Sequence, residues 1–242
     1  LNYYMDTFEL ILIFILSIFQ SIFGVGLLVF GTPAFLLIGY SFFDVINILL
    51  PFSITISLLQ IIFSKEHNRD FQTKLIIYCM PSLILSLIFL INYQNKINFI
   101  ILMSVTIIVF SLVNLLKDKN KIIFNNNTGK TKISLVLLGF IHGLTNLGGS
   151  FLTLIATNMS TKKVSIRYNI ASGYLILGIV QLLFVNLFHK SLDIYILYYL
   201  FIPVICFYIS QRFYKSINNE YFYKILNIII LIYGFYIISN NI

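Results

Sequence analysis

The sequence predicts an all-α integral membrane protein built as two inverted-topology repeats, each a glycine-broken re-entrant or hairpin segment followed by three spanning helices. Three observations predict it. The 242 residues are 59% hydrophobic and 10% charged, with a mean hydropathy of +0.95; a soluble domain carries about 25% charged residues. The apolar runs are long and continuous, which excludes a barrel of short alternating strands. Uncommon residues also recur at one offset: 122 positions separate Gly26 from Gly148, Asn47 from Asn169 and Pro81 from Pro203. The composition excludes a cytosolic enzyme, a disordered chain and a secreted disulfide scaffold. Net charge +8 and pI 9.4 read as basic cytoplasmic loops and not as nucleic-acid binding.

The apolar segments fall at 8–38, 43–63, 75–92, 97–116, 133–158, 168–188, 192–211 and 221–239. Six suit single crossings of about 20 residues. The segments 8–38 and 133–158 do not: a straight helix over 8–38 would run about 46 Å. Both are interrupted by glycine, at Gly24-Val25-Gly26 and Gly148-Gly149, where the backbone can leave helical geometry. If each broken segment crossed once, Lys and Arg would divide nine against seven between the two sides. If each dips in and returns, 14 share one side and only Lys96 and Lys190 remain on the other. The positive-inside rule selects the second arrangement. Residues 1–116 then form the first membrane repeat, 117–132 a cytoplasmic linker and 133–242 the second repeat, with both termini periplasmic. A repeat with an odd number of crossings makes its copy run inverted, the usual architecture of secondary transporters. The first apolar run lacks a basic n-region and an A-x-A site, so it reads as a retained helix.

The stretches 24-GVGLLVFGTP-33 and 143-GLTNLGGSF-151, with the prolines of the third span in each half, resemble the TauE/SafE (YfcA-type) family of bacterial inner-membrane permeases. The resemblance covers nearly the whole chain. Here Val25 interrupts the glycines of the first break, and Leu50-Pro51-Phe52-Ser53 stands where the family has a small Thr-Ser pair. The resemblance implies a multi-pass protein of the bacterial inner membrane, two similar halves joined by a cytoplasmic linker, and export of sulfite, an organosulfonate or a related sulfur oxyanion by alternating access. Uptake of another anion, a passive channel and a subunit of a membrane complex are the alternatives that the residues leave open.

The residues themselves argue for an anion. A helix that begins inside the membrane presents unpaired N–H groups and about half a positive charge, and two such starts facing one another would hold an anion without a fixed cation. The candidate substrate-binding set is Gly24, Gly26, Thr32, Asn47, Asn146, Gly148, Gly149, Ser150 and Asn169. The glycines could equally serve close helix packing. Asn47 and Asn169 could donate to an oxyanion or bond a neighbouring helix. His142, the only histidine well inside an apolar segment, could carry a coupling proton or act as an interhelical donor. Arg167 reads as a charge snorkelling at the interface, and Cys79 and Cys206 as buried, inert thiols. No H-E-x-x-H, G-x-S-x-G or pair of mid-membrane carboxylates is present, so neither an enzyme, a metal nor a cofactor is expected. The expected partners are a small anion, a coupling proton and membrane lipid.

Overall fold

The computed structural model describes residues 5–116, 129–189, 194–217 and 219–239. Most of the expected linker, 117–128, lies outside these residues, as do Lys190 and Asp193. The described residues are helical nearly throughout. Helix α1 (Thr7–Phe23) starts at Asp6, whose N–H donates to the Glu9 carboxylate at 3.1 Å, the reciprocal half of a capping box. It stops at Gly24, which is left-handed at φ 80°. Helix α2 (Leu27–Ile38) follows Gly26 and ends at Gly39. Helix α3 (Phe42–Ile62) is capped by Ser41, whose hydroxyl accepts the Asp44 N–H. Helix α4 (Arg69–Lys74) runs through a π turn at Leu75–Cys79 into α5 (Met80–Tyr93). Pro81 sits just past that turn and has no N–H for the ladder, a known cause of such distortion. Helix α6 (Phe99–Leu116) completes the first half.

The second half repeats this order with α7 (Gly129–Thr145), α8 (Gly148–Met159), α9 (Lys163–His189), α10 (Phe201–Ser216, entered through a 3-10 turn at Ile194–Leu200) and α11 (Asn219–Ser239). Helix α7 ends 122 residues after α1, from 23 to 145; α8 and α9 begin 121 after α2 and α3, from 27 to 148 and 42 to 163. Two helices start earlier than hydropathy places them. Helix α7 takes in Lys130 and Lys132, and α9 takes in Lys163 and Arg167. A helix needs only backbone bonds to continue, so charged side chains at the membrane edge end the apolar run before they end the helix.

Among the described residues five helices are long and apolar enough to cross a membrane: Phe42–Ile62, Arg69–Tyr93, Phe99–Leu116, Lys163–Phe188 and Ile194–Ser216. The broken segments behave differently. Helices α2 and α8 have 12 residues each, about 18 Å of helix against about 30 Å of hydrocarbon, so each begins part-way through.

Packing between the halves is reciprocal. Helix α3 lies against α9, α6 against α11, α1 against α10 and α7 against α5. Helices α3 and α9 run antiparallel: Asn186 Nδ2 donates to Asn47 Oδ1 at 2.8 Å, and further along Gly178 lies on Ile54. Helices α5 and α7 run parallel, held at backbone distance by small residues. A Cβ on Gly139 would strike the Cys79 carbonyl and Ser82 Oγ, and one on Gly143 would strike Ser86 Oγ and come within 3.0 Å of the Leu83 carbonyl oxygen. Two glycines four apart facing two serines four apart form a small-residue seam, the means by which helices approach closely in lipid. Gly139→Val and Gly143→Val should each lower stability by about 1–3 kcal/mol through overpacking, measured as thermal unfolding in detergent. Gly129→Ala, where a Cβ meets nothing within 4 Å among the described residues, should leave the midpoint where it is.

Candidate functional site

The two helix breaks meet inside the protein. A Cβ on Gly149 would lie 2.9 Å from Val25 Cγ2, and Asn146 Nδ2 donates to Thr32 Oγ1 at 3.0 Å, joining the second break to the first hairpin. The breaks are built alike at their entry. Gly24 N–H donates to the Gln20 carbonyl, and Asn146 N–H donates to the His142 carbonyl, both at 2.7 Å. Both residues are left-handed, Asn146 at φ 58°, a conformation asparagine tolerates better than other side chains with a Cβ. They differ at the exit. Gly26, at φ 151°, starts α2 without a side-chain cap. At the start of α8, Leu147 N–H donates to Thr145 Oγ1 at 3.1 Å, and Gly148 N–H donates to His142 Nδ1 at 3.2 Å. His142 and Thr145 thus answer two of the donors that a helix start leaves open.

Most of the set expected from sequence is gathered here. Thr32, Asn146, Gly148, Gly149, Ser150 and His142 are all buried around α8 and the hairpin facing it. Ser150 Oγ donates to the Leu147 carbonyl at 3.1 Å. A Cβ on Gly148 would press into the His142 ring, and one on Gly149 would strike the Tyr174 hydroxyl. On the first hairpin a Cβ on Gly26 would lie 2.7 Å from Phe19 Cδ1. Gly24 is covered by the aliphatic stem of Arg167, with 3.4 Å from Cγ to a Cβ placed there.

Asn47 and Asn169 occupy opposite ends of the antiparallel α3–α9 pair. Asn47 accepts from Asn186, near the end of α9; Asn169 accepts from Asn68 Nδ2, at the start of α4, at 3.1 Å. Both make interhelical bonds, the structural role that the sequence left open beside anion binding.

Three features escaped sequence reasoning. Arg167 does not snorkel: it is 7% exposed, its guanidinium 4.0 Å from the centroid of the Tyr214 ring and its Nη1 donating to Gln211 Oε1. Tyr174 and Gln181, seven residues apart on α9, are buried beside His142, with the Tyr174 and His142 ring centroids 6.4 Å apart. A tyrosine and a glutamine in an apolar run carry no motif; only their shared face, two helical turns apart, could have marked them.

The His142–Gly148 bond gives a test of this geometry. His142→Leu removes the acceptor and strands a buried N–H, a loss of about 1–3 kcal/mol. Thermal unfolding should show it, and amide exchange at Gly148 should quicken relative to the α8 interior.

The family model described as sulfite exporter TauE/SafE matches residues 10–237. No curated protein and no solved structure matches the chain significantly. The family match spans all the helices that build the two breaks, and the apolar helices agree with it. The chain belongs to the sulfite exporter TauE/SafE family, and is accordingly a bacterial membrane transporter and not an enzyme.

Proposed function

We propose that the protein moves a small sulfur oxyanion, such as sulfite or an organosulfonate, across the bacterial inner membrane by alternating access of two inverted halves. The observation that carries this reading is the meeting of two helix starts, α2 after Gly26 and α8 after Leu147, at the Asn146–Thr32 contact. Each start brings the positive end of a helix dipole to a place walled off from lipid. Residues 20–32 and 142–153 contain no ionisable side chain except His142, so a bound anion would not be trapped by a permanent counter-charge. Gly24, Gly26, Gly148 and Gly149 keep the backbone approachable, and Thr32, Asn146 and Ser150 supply neutral polar contacts. Arg167, with its stem over Gly24, offers one guanidinium near the first break.

The inverted arrangement draws support from the antiparallel α3–α9 pair and from the reciprocal packing of α1 on α10 and α7 on α5, the pattern a two-fold axis in the membrane plane would generate. The Asn47–Asn186 and Asn68–Asn169 bonds then lie toward opposite membrane faces, where alternating access would open one and keep the other. His142 would carry the coupling proton. Its Nδ1 now accepts the Gly148 N–H; a proton added there would displace that bond and release the start of α8.

Purified protein in liposomes should show saturable sulfite or sulfonate flux that responds to an imposed pH gradient. Linear conductance, or no flux across a panel of oxyanions, would overturn the reading. Gly24→Ala should stay folded and inserted at a cost of about 1–2 kcal/mol for the left-handed backbone, because a Cβ there makes only ordinary contacts, while its transport falls. For topology, cysteines at the exposed positions Lys96 and Lys162 should react with an impermeant reagent from opposite sides, Lys162→Cys from the cytoplasm. Reaction from the same side would remove the two hairpins.

A further inference from the structure

The two halves each place a polar cluster behind their break; in the first only Gln60 Oε1 lacks a partner, whereas in the second most of the polar atoms are unanswered. In the first half Gln20 of α1 meets Ser53, Ser57 and Gln60 of α3. Gln20 Nε2 donates to Ser53 Oγ at 2.9 Å and to the Ser53 carbonyl at 3.2 Å, and Ser53 Oγ donates back to Gln20 Oε1 at 3.3 Å. Gln60 Nε2 donates to the carbonyls of Gln20 and Ser21 at 2.9 and 3.2 Å. By the helix offsets, 122 for α1 to α7 and 121 for α3 to α9, the counterparts of Gln20, Ser53 and Gln60 are His142, Tyr174 and Gln181. These three are at most 1% exposed. Yet the Tyr174 hydroxyl has no hydrogen-bond partner, and His142 Nε2 and the Gln181 amide have none but each other.

The missing partner has a definite chemistry. Because His142 Nδ1 accepts the Gly148 N–H, the neutral ring must hold its proton on Nε2, which makes Nε2–H a donor. The Tyr174 hydroxyl and the Gln181 amide also donate. The Asn146 amide can join them: its Oδ1 is unpartnered, and turning it over costs little, since the Thr32 hydroxyl can donate as readily as accept. With the His142 Nε2–H facing Gln181 Oε1 and Asn146 Oδ1 turned to the Thr32 hydroxyl, the Gln181, Asn146 and Tyr174 donors have only the tyrosine oxygen left as an acceptor among these residues. A buried cluster rich in unanswered donors wants a ligand that only accepts. The start of α8 lies beside it, with the Tyr174 hydroxyl over Gly149, and adds the same electrostatic preference.

We infer that His142, Tyr174 and Gln181 form the hydrogen-bond receptor for the transported oxyanion, that the site lies in the second half between α7, α8 and α9, and that the first-half cluster is its structural counterpart with the ligand positions filled by serine and glutamine. This rests on the anion-transport reading and names the residues that would carry its selectivity for oxygen acceptors.

The test uses full-length protein, measuring sulfite affinity by ligand-induced thermal shift and flux in liposomes. Tyr174→Phe deletes an unpartnered hydroxyl and should leave the unliganded unfolding temperature unchanged or raised, while Gln181→Met removes the amide that faces His142 and should lower it slightly. Each should weaken sulfite binding about ten-fold or more, the scale for losing a hydrogen bond to a charged group, and Tyr174→Phe should reduce the preference for sulfite over chloride. Gln60→Met should lower the unfolding temperature while keeping wild-type affinity. Wild-type affinity in both Tyr174→Phe and Gln181→Met, with transport intact, would overturn the receptor and leave the transport reading standing. If the wild-type protein neither binds nor moves any oxyanion of the panel, the receptor and the transport reading fall together.

Discussion

A helix that stops inside a bilayer leaves backbone donors and acceptors with no water to take them, and the centre of this protein is arranged around where those groups go. Within hydrocarbon each unanswered group costs several kcal/mol, so a break is tolerable only if the protein encloses it. Enclosure is what the packing supplies. Val25 of the first break lies against Gly149 of the second, Asn146 bonds across to Thr32, and His142 and Thr145 take the first amides of α8. Each break is shielded by the other, which ties the two hairpins together.

That constraint also explains the distribution of burial. Of the α3 span window 67% is buried, against 22% for α6. Helices α3 and α9 form the central antiparallel pair, while α6 and α11 meet farther out. A transporter core must be held by contacts that can be remade, and two of the bonds that α9 makes, Asn186 with Asn47 of α3 and Asn169 with Asn68 before α4, are amide–amide pairs near its opposite ends. The α5–α7 seam is of another kind, with glycine against serine at backbone distance, and it is hard to slide without a clash.

Much of the fold was legible in the sequence because it rests on features a linear reading detects. Length and hydropathy gave the crossings, and glycine marked both breaks. The offset of 122 holds for α1 and α7, but the pairs that suggested it, Gly26 with Gly148 and Asn47 with Asn169, lie beyond the break. There the offset is one residue fewer because Asn146-Leu147 does the work of Gly24-Val25-Gly26, so Asn47 stands opposite Tyr168. Gly26 therefore stands opposite Leu147 as the residue before the half-helix, and Gly148 is already inside it. Asn47 and Asn169 were visible as polar residues in apolar runs, but which partner each takes depends on helix facing, set by tertiary packing. Tyr174 and Gln181 were harder still. A tyrosine in a chain with 16 of them reads as interfacial, and only the crossing of α7 over α9 brings it to His142.

The pairing of α7 with α5 and of α1 with α10 has a consequence for biosynthesis. The first arm of each hairpin finds its main supporting helix in the opposite half, while the second arm, α2 or α8, packs on α3 or α9 of its own half. While the ribosome is still making the second half, the first must wait in the membrane with α1 and α5 facing lipid or a chaperone, its Cys79, Ser82 and Ser86 ridge uncovered. The two halves are interlaced rather than juxtaposed. Severing the chain between them would yield fragments that assemble when made together and fail when made alone.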